Sequence, residues 1–140
     1  MINLKTSLAL LGAGVAVAVA PAAPTHELYL CATISKNYVI GSKLVTLSGI
    51  YHREADGSYR HLGPNFPGIF SLAFDPRNPE VYYAASLNGA LCTKDGGKTW
   101  RIGTSWDMTE PKDIFVDPNA PDHVYLALPD GIAVSPYRGA

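Results

Sequence analysis

The residues best suited to chemistry fall in three places along the chain. The string Thr93-Lys-Asp95-Gly96-Gly97-Lys-Thr99-Trp100 sets one carboxylate among two hydroxyls and two glycines. Such a carboxylate could be a catalytic group or a calcium ligand, yet turn chemistry already explains it. Asp95 can accept hydrogen bonds from backbone N–H groups of its own turn, and Gly97 can take the left-handed conformation. The second place is Trp106-Asp107-Met-Thr-Glu110, an indole beside two carboxylates. That combination suits a sugar or peptide contact, or an acid/base pair if the two carboxyls are suitably spaced. The alternative reading has the indole packed under its own loop. The third is the set His26, His52, His61 and His123, which lacks metal-ligand spacing, so neither a metal nor a cofactor is expected. Gly96-Gly97-Lys98-Thr99 resembles the end of a phosphate loop but lies in a hairpin with no helix after it.

These residues must be positioned by strands. The 140 residues hold 13 Gly and 11 Pro, a punctuation density that suits short strands and turns, and no window carries a helical stripe. Eleven Lys and Arg stand against 12 Asp and Glu, so nothing is available to neutralise a phosphate backbone, and nucleic acid is excluded as an expected partner. Self-similarity then sets the plan. Leu72-Ala-Phe-Asp75-Pro76 returns 42 residues later as Ile114-Phe-Val-Asp117-Pro118, and Asn88-Gly89 returns as Asp130-Gly131 at the same shift. Val81-Tyr82 matches Val124-Tyr125 at 43, which reads as a one-residue insertion at His123. A weaker copy lies upstream, with Glu54, Tyr59 and Arg60 placed 41 residues before Asp95, Trp100 and Arg101.

In the middle copy the alternation predicts strands at 69–74, 81–86, 89–93 and 99–104. Asp75 to Pro79 ends the first, and Asn88-Gly89 forms a hairpin turn between the second and third. Four strands per unit of about 42 residues describe one blade of a β-propeller. The expected fold is therefore all-β: an incomplete β-propeller of four-stranded antiparallel blades, about two and three-quarter of them. Blade 1 is expected at 28–64, blade 2 at 67–104 and an incomplete blade 3 at 111–140.

Residues 1–22 read as a signal peptide, with Lys5 followed by an uncharged apolar run from Ser7 to Ala20 and small residues before the cut. That address implies a secreted or periplasmic protein with no membrane span after cleavage. Export also leaves Cys31 and Cys92 two fates, a disulfide or two buried free thiols.

The string from Thr93 to Trp100 resembles the Asp-box of BNR-repeat propellers, matching at Thr93, Asp95, Gly97, Thr99 and Trp100. The resemblance covers about residues 28–140 and implies that the box is a structural lock, with Trp100 packed between blades. It decays in the flanking copies. Glu54-Ala-Asp-Gly-Ser-Tyr59 has Glu and Tyr for Asp and Trp, and Ser135-Pro-Tyr137-Arg-Gly139 has Tyr137 at the Asp position. The chain then stops inside the third motif, as expected of the N-terminal part of a longer protein, whose exposed blade edges favour self-association.

Several relatives of this style are enzymes. Sialidases open with an Arg-Ile-Pro motif that does not occur here. Xyloglucan-cleaving glycoside hydrolases carry a catalytic Asp in their first blade, and the similar stretch Val45 to His52 has Thr46 in its place. A hydroxyl cannot serve as that base. Sortilin-type receptors and an exported photosystem II assembly factor instead use the propeller as a docking surface. The resemblance thus implies an extracytoplasmic scaffold for protein or polysaccharide, with a hydrolase as the alternative. Binding residues are expected on loops opposite the box: Asn65, Phe66, Asn88, Trp106, Asp107, Glu110 and Asp130.

Overall fold

The computed structural model describes residues 27–34 and 47–139. The expected signal peptide, His26 and Thr46 lie outside the described residues. Among the described residues ten strands follow one another: β1 Tyr29–Ala32, β2 Gly49–Arg53, β3 Tyr59–Gly63, β4 Ile69–Asp75, β5 Asn78–Ser86, β6 Gly89–Thr93, β7 Arg101–Ile102, β8 Asp113–Val116, β9 Val124–Leu128 and β10 Gly131–Ser135. They pair as three antiparallel sheets, β1-β2-β3 (sheet 1), β4-β5-β6-β7 (sheet 2) and β8-β9-β10 (sheet 3).

Sheet 2 is the middle layer because β5 is apolar on both sides. Val81, Tyr83 and Ala85 pack with Ala73 against Ile114, Val116, Val124 and Leu126 of sheet 3. Tyr82 and Ala84 face the other way and join Ile69 and Leu91 against Ile50 of sheet 1. Alternate residues of a strand point to opposite faces, so a run without polar interruption demands cover on both. Among the described residues, sheet 3 has cover on one face only. Ile114, Val116, Val124 and Leu126 are buried there, whereas Phe115, Ile132 and Val134 lie half or more exposed on the other.

The register corrects three details of the sequence reading. Phe74 pairs with Tyr82 and Val116 with Val124, while Tyr82 pairs with Thr93 and Val124 with Ser135. The shift between copies is therefore 42 throughout, with no insertion at His123. Tyr82 corresponds to Val124, because a 43-residue match would turn every side chain to the wrong face. Second, the hairpin turns are Leu87–Asn88 and Pro129–Asp130, one residue earlier than expected, closed by Ser86↔Gly89 and Leu128↔Gly131. Gly89 has φ 116°, and a side chain there would meet the Thr104 hydroxyl and the Met108 carbonyl, so the position calls for glycine on both counts. Third, β5 starts at Asn78 rather than Val81. Pro76-Arg77 makes a two-residue turn, and Pro79 falls in a bulge between the Asp75↔Asn78 and Phe74↔Tyr82 pairs, where its missing N–H breaks no ladder bond.

Sheet 2 has four strands, but the fourth is shorter than expected, Arg101–Ile102 in place of 99–104. Sheet 1 contains three strands among the described residues, where the sequence reading has a whole blade over 28–64. Cys31 and Cys92 are both free, and Cys31 is exposed on β1 rather than buried.

Sheets 2 and 3 are also joined by ions. The fully buried Asp75 carboxylate accepts from Arg77 at 2.9 Å and from Arg138 at 3.0 Å, and Arg77 reaches Asp122 at 2.8 Å. A buried carboxylate is tolerable only when paired and hydrogen-bonded, and the Arg77 guanidinium holds Asp75 down at about 2. The packing predicts unequal costs for two truncations in sheet 3. Leu126→Ala should lower the unfolding free energy in urea by about 2–5 kcal/mol. Val134→Ala, on the open face, should stay within about 0.5 kcal/mol.

Candidate functional site

Strand direction sorts the loops into two ends. The β4–β5 and β6–β7 connections lie at one, and the β3–β4, β5–β6, β7–β8 and β9–β10 connections at the other.

The first end holds the string from Thr93 to Trp100. Thr93 Oγ1 donates to Asp95 Oδ1 at 2.9 Å and accepts from the backbone N–H of Gly97 at 2.9 Å. Asp95 in turn accepts from the Thr99 backbone N–H at 2.9 Å and from the Thr99 hydroxyl at 2.6 Å. Trp100 Nε1 donates to the Gly97 carbonyl at 3.0 Å, and its ring meets Tyr82 edge-on at 5.4 Å. Gly97 has φ 90°, and a side chain there would strike the Tyr82 hydroxyl and the Leu62 carbonyl of sheet 1. All five matched residues thus meet in one turn. The hydroxyl and N–H of Thr99 hold Asp95 at about 2, fully ionised near neutrality. With its lone pairs directed into its own turn, this carboxylate is poorly placed to move protons for a substrate.

The same turn recurs in sheet 3 without the carboxylate. Ser135 Oγ accepts from the N–H groups of Tyr137 at 3.3 Å and Gly139 at 3.1 Å, as Thr93 Oγ1 does from Asp95 and Gly97. The Arg138 N–H donates to the Asp122 carbonyl at 2.8 Å, matching Gly96 to Glu80 at 2.9 Å. Arg138 takes φ 58° where the middle copy has Gly96 at 70°. The first copy departs further. Its turn closes between Glu54 and Ser58, and Asp56 accepts from the Ser58 N–H at 2.9 Å. Glu54 is drawn instead to Arg60 at 2.5 Å and His52 at 3.2 Å.

The opposite end gathers most of the predicted binding residues. The Leu87 N–H donates to the Gly68 carbonyl at 2.9 Å and the Glu110 N–H to the Leu87 carbonyl at 3.0 Å, stitching three loops together. Asn65, Phe66 and Asn88 line a shallow cleft of about 240 Å³, floored by Leu91. Trp106 stands beyond it, 91% exposed, which overturns the reading of an indole packed under its own loop. The cause is local: the Ser105 carbonyl accepts from the Met108 N–H at 3.1 Å, and the Ser105 hydroxyl donates to Asp107, a tight turn that pushes Trp106 outward. That hydroxyl holds the Asp107 carboxyl below its ordinary range.

Glu110 lies 3.7 Å from Lys112, whose ammonium sits 5.8 Å over the Phe70 ring. Glu110 also has φ 54° at the position where the middle copy has Gly68 at 78°. A non-glycine residue in that region costs roughly 1–2 kcal/mol, and such strain marks positions worth testing. Asp130 is exposed on the β9–β10 turn at the same end, and among the described residues no hydrogen bond ties it to the others. The sequence reading missed Lys112 and Phe70, whose importance comes from neighbours across loops. Among the described residues no group of His, Cys, Asp and Glu is arranged to hold a metal, and no helix is long and apolar enough to cross a membrane.

No family model matches the chain, and no curated protein matches it. Among solved structures, the chain is similar to a GH74 enzyme of Niastella koreensis, with TM-score 0.55 and 19% identity over 65% of this chain. It spans 18% of that enzyme's chain. The likeness shows a β-propeller-like fold.

The hydrogen bonds around Asp95 generate a pH prediction. Its folded value near 2 lies below the ordinary 3.8, so its contribution to stability is present above about pH 4 and lost as pH falls toward 2. Asp95→Asn should lower the urea midpoint at pH 7, and the gap from the unsubstituted chain should close by pH 2. Asp75 titrates in both backgrounds and drops out of the difference.

Proposed function

We propose that this chain forms part of an extracytoplasmic BNR/Asp-box β-propeller whose loop end opposite the box binds a glycan. The exposure of Trp106 carries the reading. An indole held almost wholly in water by a tight turn offers a flat apolar surface for a pyranose ring, and adjacent Asp107 supplies an acceptor for sugar hydroxyls. Asn65 and Asn88, beside the neighbouring cleft, add amide donors and acceptors. The propeller-like fold is consistent with this use, and the motif from Thr93 to Trp100 supports the narrower repeat family. A protein ligand would use the same surface.

Asp107 suits an acceptor better than a general acid. A general acid for glycoside cleavage needs a raised carboxyl pKa, and Asp107 is shifted down instead. As an ionised acceptor it suits holding a sugar rather than protonating a leaving group. Export rests on residues 1–22 and is part of the same proposal.

Affinity electrophoresis of the full chain in gels cast with soluble xyloglucan tests the reading. Xyloglucan should retard the protein, and Trp106→Ala should weaken retardation about tenfold or more without moving the urea midpoint. Absence of retardation, or retardation unchanged by Trp106→Ala, would contradict it.

A further inference from the structure

The loop end that carries Trp106 repeats with the units, because corresponding loops build it each time. Asn65 follows Pro64 in the β3–β4 loop as Trp106 follows Ser105 in the β7–β8 loop, a shift of 41 residues, and both are exposed. Asn88 and Asp130 hold the same corner of the β5–β6 and β9–β10 turns, at a shift of 42. In the earlier unit Asn65 and Asn88 line one cleft of about 240 Å³, with Phe66 and Ile102 as apolar walls above Leu91. Leu87 then ties the two loops to each other. Its N–H donates to the Gly68 carbonyl of the β3–β4 loop at 2.9 Å, and its carbonyl accepts from the Glu110 N–H of the β7–β8 loop at 3.0 Å.

We propose that Asn65, Asn88 and Trp106 belong to one extended site that holds a linear, uncharged polysaccharide across neighbouring units, with one contact position per unit. The inference rests on the glycan reading above and names the class of glycan. Three observations carry it. The two loops hang on a single residue of one turn, so the positions they present are fixed relative to each other before any ligand arrives. The cleft beside Asn65 contains no ionisable group, so its two amides are suited to donating to and accepting from hydroxyls. Around Trp106 the charges are Asp107, Glu110 and Asp130 against Lys112, which already faces Glu110 at 3.7 Å.

Charge selects among polymers. A uronate chain would meet like charge at Asp107, Glu110 and Asp130, whereas the hydroxyls of a neutral sugar donate to those carboxylates. A chain of amino sugars would find no anionic partner in the earlier cleft. Spacing selects for length. Packed sheets lie about 10 Å apart, so corresponding positions on successive units are separated by roughly that distance, close to the length of a disaccharide in an extended chain. A disaccharide therefore reaches one position, and a longer oligomer reaches both. The polymer runs across the sheets, from the Asn65 cleft past Leu87 to the indole of Trp106.

The test is competition in gels cast with xyloglucan and run with the full chain. Cellohexaose should relieve retardation at a concentration at least about tenfold lower than cellobiose, because it engages two linked positions at once. Asn65→Ala combined with Asn88→Ala should bring the two competitors to within about twofold of each other without moving the urea midpoint. Gels cast with polygalacturonate should leave mobility as it is without polysaccharide. Equal potency of the two competitors, or no relief by either, overturns the proposal, and this comparison needs no variant to fold. Retardation by polygalacturonate overturns it too, as does a length advantage that survives loss of both amides. All of these results leave the glycan reading standing as long as xyloglucan retards the chain through Trp106. A chain that xyloglucan does not retard, or retards equally after Trp106→Ala, removes that reading and this proposal with it.

Discussion

Tyr82 and Tyr83 are neighbours on one strand, point to opposite faces, and are both withdrawn from water. That constraint organises the rest of the molecule. A strand apolar on both sides needs a sheet against each, and each of those sheets presents a further face of its own. Sheet 3 shows the outcome: its back face is buried against β5, while its front carries Phe115, Ile132 and Val134 in the places held on sheet 2 by Ala73, Ala90 and Cys92. Larger side chains stand on this open face of sheet 3 than on the corresponding closed face of sheet 2. The stacking is thus repetitive, each unit contacting its neighbours and little else.

Turn chemistry decides how the chain leaves the third strand of a unit. At Thr93 and Ser135 a single hydroxyl gathers two N–H groups and reverses the chain. The carboxylate of Asp95 is an addition to that device, since the sheet 3 turn closes with Tyr137 in its place. It acts on the residues just after the turn: by holding Thr99 it stations Trp100 over the groove between sheets. The lock and the interface are therefore one piece of chemistry, in which a hairpin motif sets the position of an indole.

Much of this was legible in the sequence because it is local or periodic. The 42-residue repeat, the strands of the middle unit and the box residues are all spelled by neighbours within a few positions. Errors arose where two local solutions differ by one residue. Val81-Tyr82 and Val124-Tyr125 look alike, but burial of alternate faces selects the other register, and Asn88-Gly89 signals a turn whose corner is Leu87–Asn88. Contacts across the sequence were not legible at all. Arg138 reaches Asp75 across sheets, and Glu110 takes a glycine-like conformation, for reasons that appear only after the units stack. Trp106 is a separate, local case: an indole in a loop packs or protrudes according to the turn that Ser105 and Met108 close around it.

The central claim is that one hydroxyl-centred turn, repeated at 42 residues, sets the units in register. Amide exchange at Gly97 and Gly139 in the full chain tests it most directly, because both N–H groups are bound to a side-chain hydroxyl rather than to a sheet partner. The account predicts that both exchange markedly more slowly than exposed turn amides such as Asn88, and that Thr93→Val releases Gly97 while leaving Gly139 protected. Gly97 and Gly139 amides exchanging as fast as open turns, or unaffected by Thr93→Val, would contradict it.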